Sequence, residues 1–476
     1  MTFTSLEFIF VFLPICLAGY YILNKRFRNY FLLAASIIFY ACGEPKRIAI
    51  LLVSILVNYI FGLLLSKDHK WPYLKQGILV LSLVFNFGIL FYYKWLMFSL
   101  GSNSVTLPLG LSFFTFRTVS YCLDIYWEMM PGNKSLADAA LYISFFPQIS
   151  MGPISRYADF ANDLYERRFD LEAFLTGVKR VIAGLFKKLV IADTLVPMIT
   201  TGFNMEASER SVALAWLCLT GFMIQLYFDF MGYSDIAIGL GSMFGFNLPE
   251  NFDHPYAATS VTEFWNKWHM TLGLWMKNYI YIPVFRACQS KKISKLSCYM
   301  LASLGVWLFA GIWHGVGIKT VIYGLYYYVL IAGEKILSDR AKAKRKKAGI
   351  KKKQQTKGEM ALSHIYLIIA ILIGQLLFRC DSLSQYGSYL LSLLGLSGNP
   401  LMQREAMFYF NQNALIILTG ILLSVPVVPY IAEKIKKQGN ERIIRGLSPV
   451  LYGILLVVSI AFAFTGTYRS FVYFQF

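Results

Sequence analysis

Charge is the first thing this chain lacks. Only 15% of its 476 residues are Asp, Glu, Lys or Arg, where a soluble domain carries about 25%. With 57% hydrophobic residues the chain cannot clothe a folded surface in polar groups, which excludes a soluble protein and makes lipid the solvent for much of it. Acids are the scarcer sign, 26 against 45 Lys and Arg. Cysteine is sparse too. The seven cysteines are scattered, none forms a C-x-x-C pair, and most lie in apolar runs; this excludes a disulfide framework and a thiolate metal cluster, and no metal site is expected. No internal repeat is visible, which argues against a transporter or flippase built from inverted halves. No basic stretch precedes the first apolar run and no small-residue cleavage site follows it, so that run is not a cleavable signal peptide.

What the chain has instead is a succession of apolar runs, at 6–23, 48–65, 78–98, 213–227, 296–309, 318–330, 362–378, 414–430 and 447–464. Most approach the roughly 17–25 residues that a crossing helix needs. The segments 30–42 and 139–151 are shorter or broken by Gly and Pro. The expected fold is an all-α polytopic membrane protein, a bundle of roughly ten to thirteen transmembrane or re-entrant helices forming one membrane domain over 1–476. Lys25, Arg26 and Arg28 directly follow the first run, and Lys434, Lys436, Lys437, Arg442 and Arg445 precede the last. The positive-inside rule then puts both termini outside and demands an even number of crossings.

The net charge of +19 invites a nucleic-acid partner, but its distribution speaks against one. Residues 340–357 hold ten Lys or Arg and no acid, which leaves +9 for the rest. This stretch reads as a basic cytosolic loop at 339–359, in reach of the headgroups of membrane lipids.

Polar groups at apolar depth mark candidate chemistry, because they are costly there without a task. At 264–277, the residues Trp265, Trp268, Leu272, Trp275 and Tyr279 fall on one stripe of a helical wheel, with His269 at its edge. That predicts one interfacial amphipathic helix with tryptophans at headgroup level. His269 is either an interfacial side chain there or a catalyst. At 311–315 the sequence Gly-Ile-Trp-His-Gly closes a long apolar run; the glycines allow close approach of a ligand or backbone, and His314 suits general-base work near neutral pH. A hydrogen bond to a neighbouring helix is the alternative for His314. Asp229 and Asp235 lie six residues apart in an apolar stretch, on different faces of a straight helix; they read as structural support rather than an acid/base pair. The aromatic C-terminal tail at 471–476 is expected to pack into the protein, and its Tyr473 offers a phenol that could accept an acyl group.

At these residues the chain resembles the membrane-bound O-acyltransferases, and within them the alginate O-acetyltransferase-like bacterial branch. The likeness runs through LPLGLSFFTF at 107–116, Phe146-Pro147-Gln148, Gly152-Pro153-Ile154, Phe186-Lys187-Lys188, Ala192-Asp193, the segment 229–235, Thr262-Glu263-Phe264-Trp265, Trp268-His269, Trp313-His314-Gly315 and the aromatic tail. The resemblance implies a funnelled helical core with a thin septum, His314 as the catalytic general base and His269 as the second signature histidine. Trp265, Trp268, Trp313, Asp229, Asp235 and Asn266 would support or line that site. It implies no bound cofactor, acetyl-CoA as the cytosolic acyl donor, a polysaccharide acceptor outside a bacterial cytoplasmic membrane, and an extracytoplasmic serine-hydrolase-type partner that could receive the group through Tyr473. Asn266, Lys267 and Met270 depart from the Arg-Arg and Ile of the acetylating branch and lean towards teichoic-acid D-alanylation, which is the rival acceptor chemistry.

Overall fold

The computed structural model describes residues 1–67, 71–101, 105–132, 135–349, 356–439 and 441–465. Apart from one isolated bridge between Phe252 and Trp268, the regular structure of these residues is helical. Among the described residues, seven helices are long and apolar enough to cross a membrane: Ile48–Leu65, Tyr73–Leu100, Val212–Met243, Lys295–His314, Lys357–Arg379, Arg404–Leu423 and Gly446–Thr465. Phe8–Ile22 is a shorter apolar helix. The all-α membrane class expected from hydropathy is therefore what the chain forms, with shorter and buried helices between the long ones. Many outward side chains are themselves apolar, among them Leu415, Val457 and Phe464, as a lipid-facing surface requires.

Contacts group the described residues into two compact units, the first within 1–189, 230–250 and 449–465, the second within 190–229 and 251–448.

The first unit is organised about Leu111–Tyr126, a helix buried at every residue from Leu111 to Ile125. Its entry depends on Gly110, whose φ is +67° and whose Cβ position would fall 1.8 Å from the Ile149 carbonyl oxygen, so no side chain fits. Polar contacts tie this helix to its neighbours. Asn58 and Asn86 exchange amide hydrogen bonds of 3.0 and 2.7 Å, and the Thr118 hydroxyl donates to Asn86 at 2.8 Å. Such mutual satisfaction lets amides sit at apolar depth and hold helices together. Leu171–Leu185 crosses the later part of Val212–Met243 in backbone contact. A Cβ on Gly177 would meet the Gly239 carbonyl at 2.6 Å, and one on Gly184 that of Gly232 at 2.5 Å.

In the second unit, Lys295–His314 and Ile318–Lys347 form a tight antiparallel pair. A Cβ on Gly311 would lie 2.5 Å from the Thr320 carbonyl oxygen, and one on Gly324 would lie 2.3 Å from that of Trp307. The basic segment expected as a loop continues this second helix to Lys347, and the next helix begins at Lys357.

Candidate active site

Ile318–Lys347 packs against His314 directly and holds the start of the helix that leads to His269. His314 is the last residue of its helix and is half-buried. Its ring sits against Trp313, Tyr323 and Phe378, at centroid distances of 4.5, 5.5 and 5.2 Å. The turn that follows is pinned by Thr320, whose hydroxyl lies 2.7 Å from the Gly315 carbonyl and 2.8 Å from that of Gly317. An aromatic enclosure and a tied turn leave the imidazole little freedom, which is what a positioned general base needs.

His269 differs from its sequence-based description. The expected continuous amphipathic helix is two short ones, Val261–Lys267 and Met270–Met276, broken at Trp268 and His269. His269 has φ +45°, in the left-handed region, and is 3% exposed. It is thus a buried residue at a chain reversal, not an interfacial one at the edge of a stripe. The break is stabilised by the segment before it. The Met270 amide donates to the Asn251 carbonyl at 2.9 Å and the Asp253 amide to that of Lys267 at 3.0 Å. The paired strand segment competes successfully with helix continuation because it satisfies these backbone groups.

The Asn251 side chain then fixes the histidine. Its Oδ1 lies 3.0 Å from His269 Nδ1 and 3.0 Å from the Thr271 hydroxyl. An amide oxygen only accepts, so Nδ1 carries the proton and the lone pair is on Nε2. Burial pushes the imidazole pKa down to about 3, so the ring is neutral at physiological pH.

The preceding helix is held at its start. The Glu334 carboxylate, from Ile318–Lys347, accepts from the amides of Val261 at 2.7 Å and Thr262 at 2.9 Å, an anion placed on a helix N-terminus. Trp265 packs edge-on against Trp307 and Tyr327, with centroids at 5.0 and 4.8 Å. It therefore joins the helix leading to His269 with the pair of helices that presents His314.

The other candidates separate. Trp268 is buried and stacks on Phe264 at 5.5 Å, and Trp313 is buried beside His314. Asn266 is exposed; the asparagine bonded to the histidine is Asn251. Asp229 is buried in the second unit. Asp235 belongs to the first, where it accepts from Arg180 at 2.9 Å and from Lys187 at 2.5 Å. Tyr473 and the tail at 471–476 lie outside the described residues.

Three positioning residues escaped the sequence reading: Asn251, Thr320 and Glu334. Glu334 had a usable signal, as an acid directly after the apolar run at 318–330; the other two are ordinary polar residues in loops or helix starts.

A model of the membrane-bound O-acyltransferase family matches residues 130–347, a span that contains both histidines. The chain is also 33% identical, over 81% of its length and 74% of the relative's, to the probable alginate O-acetylase AlgI of Pseudomonas syringae. The chain belongs to the membrane-bound O-acyltransferase family. It is accordingly a multi-pass membrane acyltransferase. Two further relatives bracket the family's chemistry. The peptidoglycan O-acetyltransferase of Helicobacter pylori is 28% identical over 100% of this chain and 98% of its own. The teichoic acid D-alanyltransferase of Bacillus subtilis is 31% identical over 47% of this chain and 58% of its own.

Proposed function

We propose that this acyltransferase passes an acetyl group from acetyl-CoA on the cytosolic side of a bacterial cytoplasmic membrane towards O-acetylation of an extracytoplasmic polysaccharide. The observation that carries the reading is the 33% identity to an alginate O-acetylase across four-fifths of the chain, joined to a half-buried histidine held in an aromatic enclosure at a helix end. Similarity to a peptidoglycan O-acetyltransferase over 100% of this chain supports acetyl over D-alanyl transfer, since the likenesses to the D-alanyltransferases of Bacillus subtilis and Streptococcus thermophilus span 47% and 66% of it.

In this reading His314 accepts the proton of the attacking hydroxyl as its oxygen adds to the thioester carbonyl, and the CoA thiolate leaves as the carbonyl re-forms. Neutral His269, tethered through Nδ1, orients the reacting groups through Nε2. Both termini face outside, in keeping with the basic residues at 25–28 and 434–445. The first acceptor is Tyr473, from which a serine-hydrolase-type partner outside the membrane takes the acetyl group.

The test is transfer of labelled acetyl from acetyl-CoA to polysaccharide in membranes, comparing wild type with His314→Ala and Tyr473→Phe. Loss of a general base costs about 10²–10⁴-fold. Undiminished transfer by correctly folded His314→Ala refutes the assignment of the base, and undiminished acetylation by Tyr473→Phe refutes the relay. Dependence on a D-alanyl carrier protein in place of acetyl-CoA would select the rival chemistry.

A further inference from the structure

The first unit contains a basic cleft whose residues take no part in the proton transfer assigned above. It is open to solvent, spans about 320 Å³ including that open space, and is lined by Tyr20, Tyr21, Arg28, Arg167, Arg168 and Asp170, among others. It sits where two apolar segments end: Leu13–Ile22 stops just before Arg28, and Val212–Met243 stops beside the cleft's far wall at Phe244 and Gly245. The end of a crossing helix, with tyrosines and arginines beside it, marks headgroup level.

The guanidiniums of Arg28 and Arg167 are held in place rather than dangling. Arg28 Nε donates to the Leu23 carbonyl at 3.2 Å, and its guanidinium lies over Tyr20 at 4.9 Å. Arg167 Nε donates to the Tyr20 hydroxyl at 3.2 Å, its Nη2 donates to Asn29, and its plane lies over Phe246 at 4.1 Å. Its third nitrogen, Nη1, is buried and has no hydrogen-bond partner among the described residues. Three cations thus line the cleft against one carboxylate, and that carboxylate is already engaged: Asp170 accepts from the amides of Glu172 at 2.8 Å and Ala173 at 3.3 Å. Asp163 also acts on Arg167 electrostatically, but it accepts from the Asn247 amide at 2.8 Å. Burial lowers the pKa of Arg167, as expected of a cation short of compensation. A dianionic or monoanionic tetrahedral oxyanion supplies what is missing, several acceptor oxygens matched to guanidinium forks.

We propose that this cleft is a phosphate-binding site at the membrane surface, which takes the phosphate of an anionic phospholipid headgroup or of a soluble phosphate-bearing acyl donor. The second source rests on the donor proposed above; the first does not.

The test is thermal unfolding of the full chain in phosphatidylcholine nanodiscs, with two arms. One adds phosphatidylglycerol to the nanodisc; the other adds CoA or 3′-dephospho-CoA to the solution. The variants are Arg167→Gln and Arg168→Gln. Arg168 is exposed, so its replacement leaves folding intact should Arg167→Gln fail to fold. A phospholipid source raises the unfolding temperature in the first arm, and a donor source raises it for CoA more than for 3′-dephospho-CoA. In either case Arg168→Gln needs at least about tenfold more ligand for the same shift, the loss of one charge-assisted hydrogen bond. Absence of any shift in both arms overturns the proposal. So does a response in Arg168→Gln equal to that of wild type.

Discussion

The Oδ1 atom of Asn251 lies 3.0 Å from Nδ1 of His269, at a reversal of the chain where the histidine backbone is left-handed. One amide oxygen serves both His269 and the Thr271 hydroxyl, so the side chain that sets the tautomer of the imidazole also fixes the helix start beside it.

Replacing Asn251 with Ala leaves a buried imidazole N–H without its acceptor, which costs about 1–3 kcal/mol. We expect a lower unfolding temperature and acyl transfer reduced mainly in kcat, as the ring loses its orientation. Asn251→Asp, which retains an acceptor at the same place, should recover more activity than Asn251→Ala. Equal transfer rates for wild type and Asn251→Ala would show that the contact has no part in positioning.

The neutral state of His269 carries a pH signature. Its folded pKa of about 3 lies below the ordinary value of 6.5, so the unfolded chain binds the extra proton first. Stability from this group is complete above about pH 6.5 and declines as pH falls towards 3, by up to about 1.4 kcal/mol per pH unit. His269→Gln should flatten that part of the unfolding-temperature profile between pH 6.5 and 4.5. A profile identical to that of wild type would mean that other groups carry the acid sensitivity.

Thr320 is expected to act on chemistry through the turn after His314. Thr320→Val keeps the shape and removes the hydroxyl that reaches the Gly315 and Gly317 carbonyls, at a cost of about 0.5–1.5 kcal/mol in stability. Its readout is the split between kcat and KM. Transfer should fall in kcat with KM little changed, and Thr320→Ser should restore it. A Thr320→Ser variant as impaired as Thr320→Val would point to the methyl group and packing instead.

The ion cluster of the first unit allows a comparison between two acids. Asp235 is nearly buried between Arg180 and Lys187, whereas Glu250 meets Arg180 from an exposed position. Asp235→Asn should destabilise by roughly 1.5–3 kcal/mol, the range for hydrogen bonds to charged groups. Glu250→Gln should cost under about 1 kcal/mol, because solvent screens an exposed pair. Chemical denaturation of both variants in mixed micelles measures the difference, and similar losses would contradict the assignment of Asp235 as the anchor.

Local pattern revealed the parts of this molecule whose cause is local. The apolar runs at 48–65 and 362–378 became helices of nearly those limits, because every backbone group in lipid must be satisfied within its own segment. His314 stood out in the sequence because an imidazole between glycines at the end of an apolar helix has few ordinary reasons to be there. The reading failed at 264–277, where a wheel drawn through Trp265, Trp268 and Trp275 presumes an unbroken helix. Backbone hydrogen bonds from 251–253 end that helix at Lys267 instead, and nothing within the stripe announces them.

The membrane class, the helical content and the identity of the two histidines follow from the order of residues alone, since hydropathy and motif are properties of neighbours in the chain. The partners of the functional groups do not. Asn251 reaches His269 across 18 residues, Glu334 reaches Val261 across 73, and Arg180 reaches Asp235 across 55. Such pairs form only after the helices have packed and desolvated them, when a buried polar group must find a partner from whichever segment the fold has brought beside it. That choice, and with it the neutral state of His269 and the tied turn behind His314, belongs to the tertiary structure.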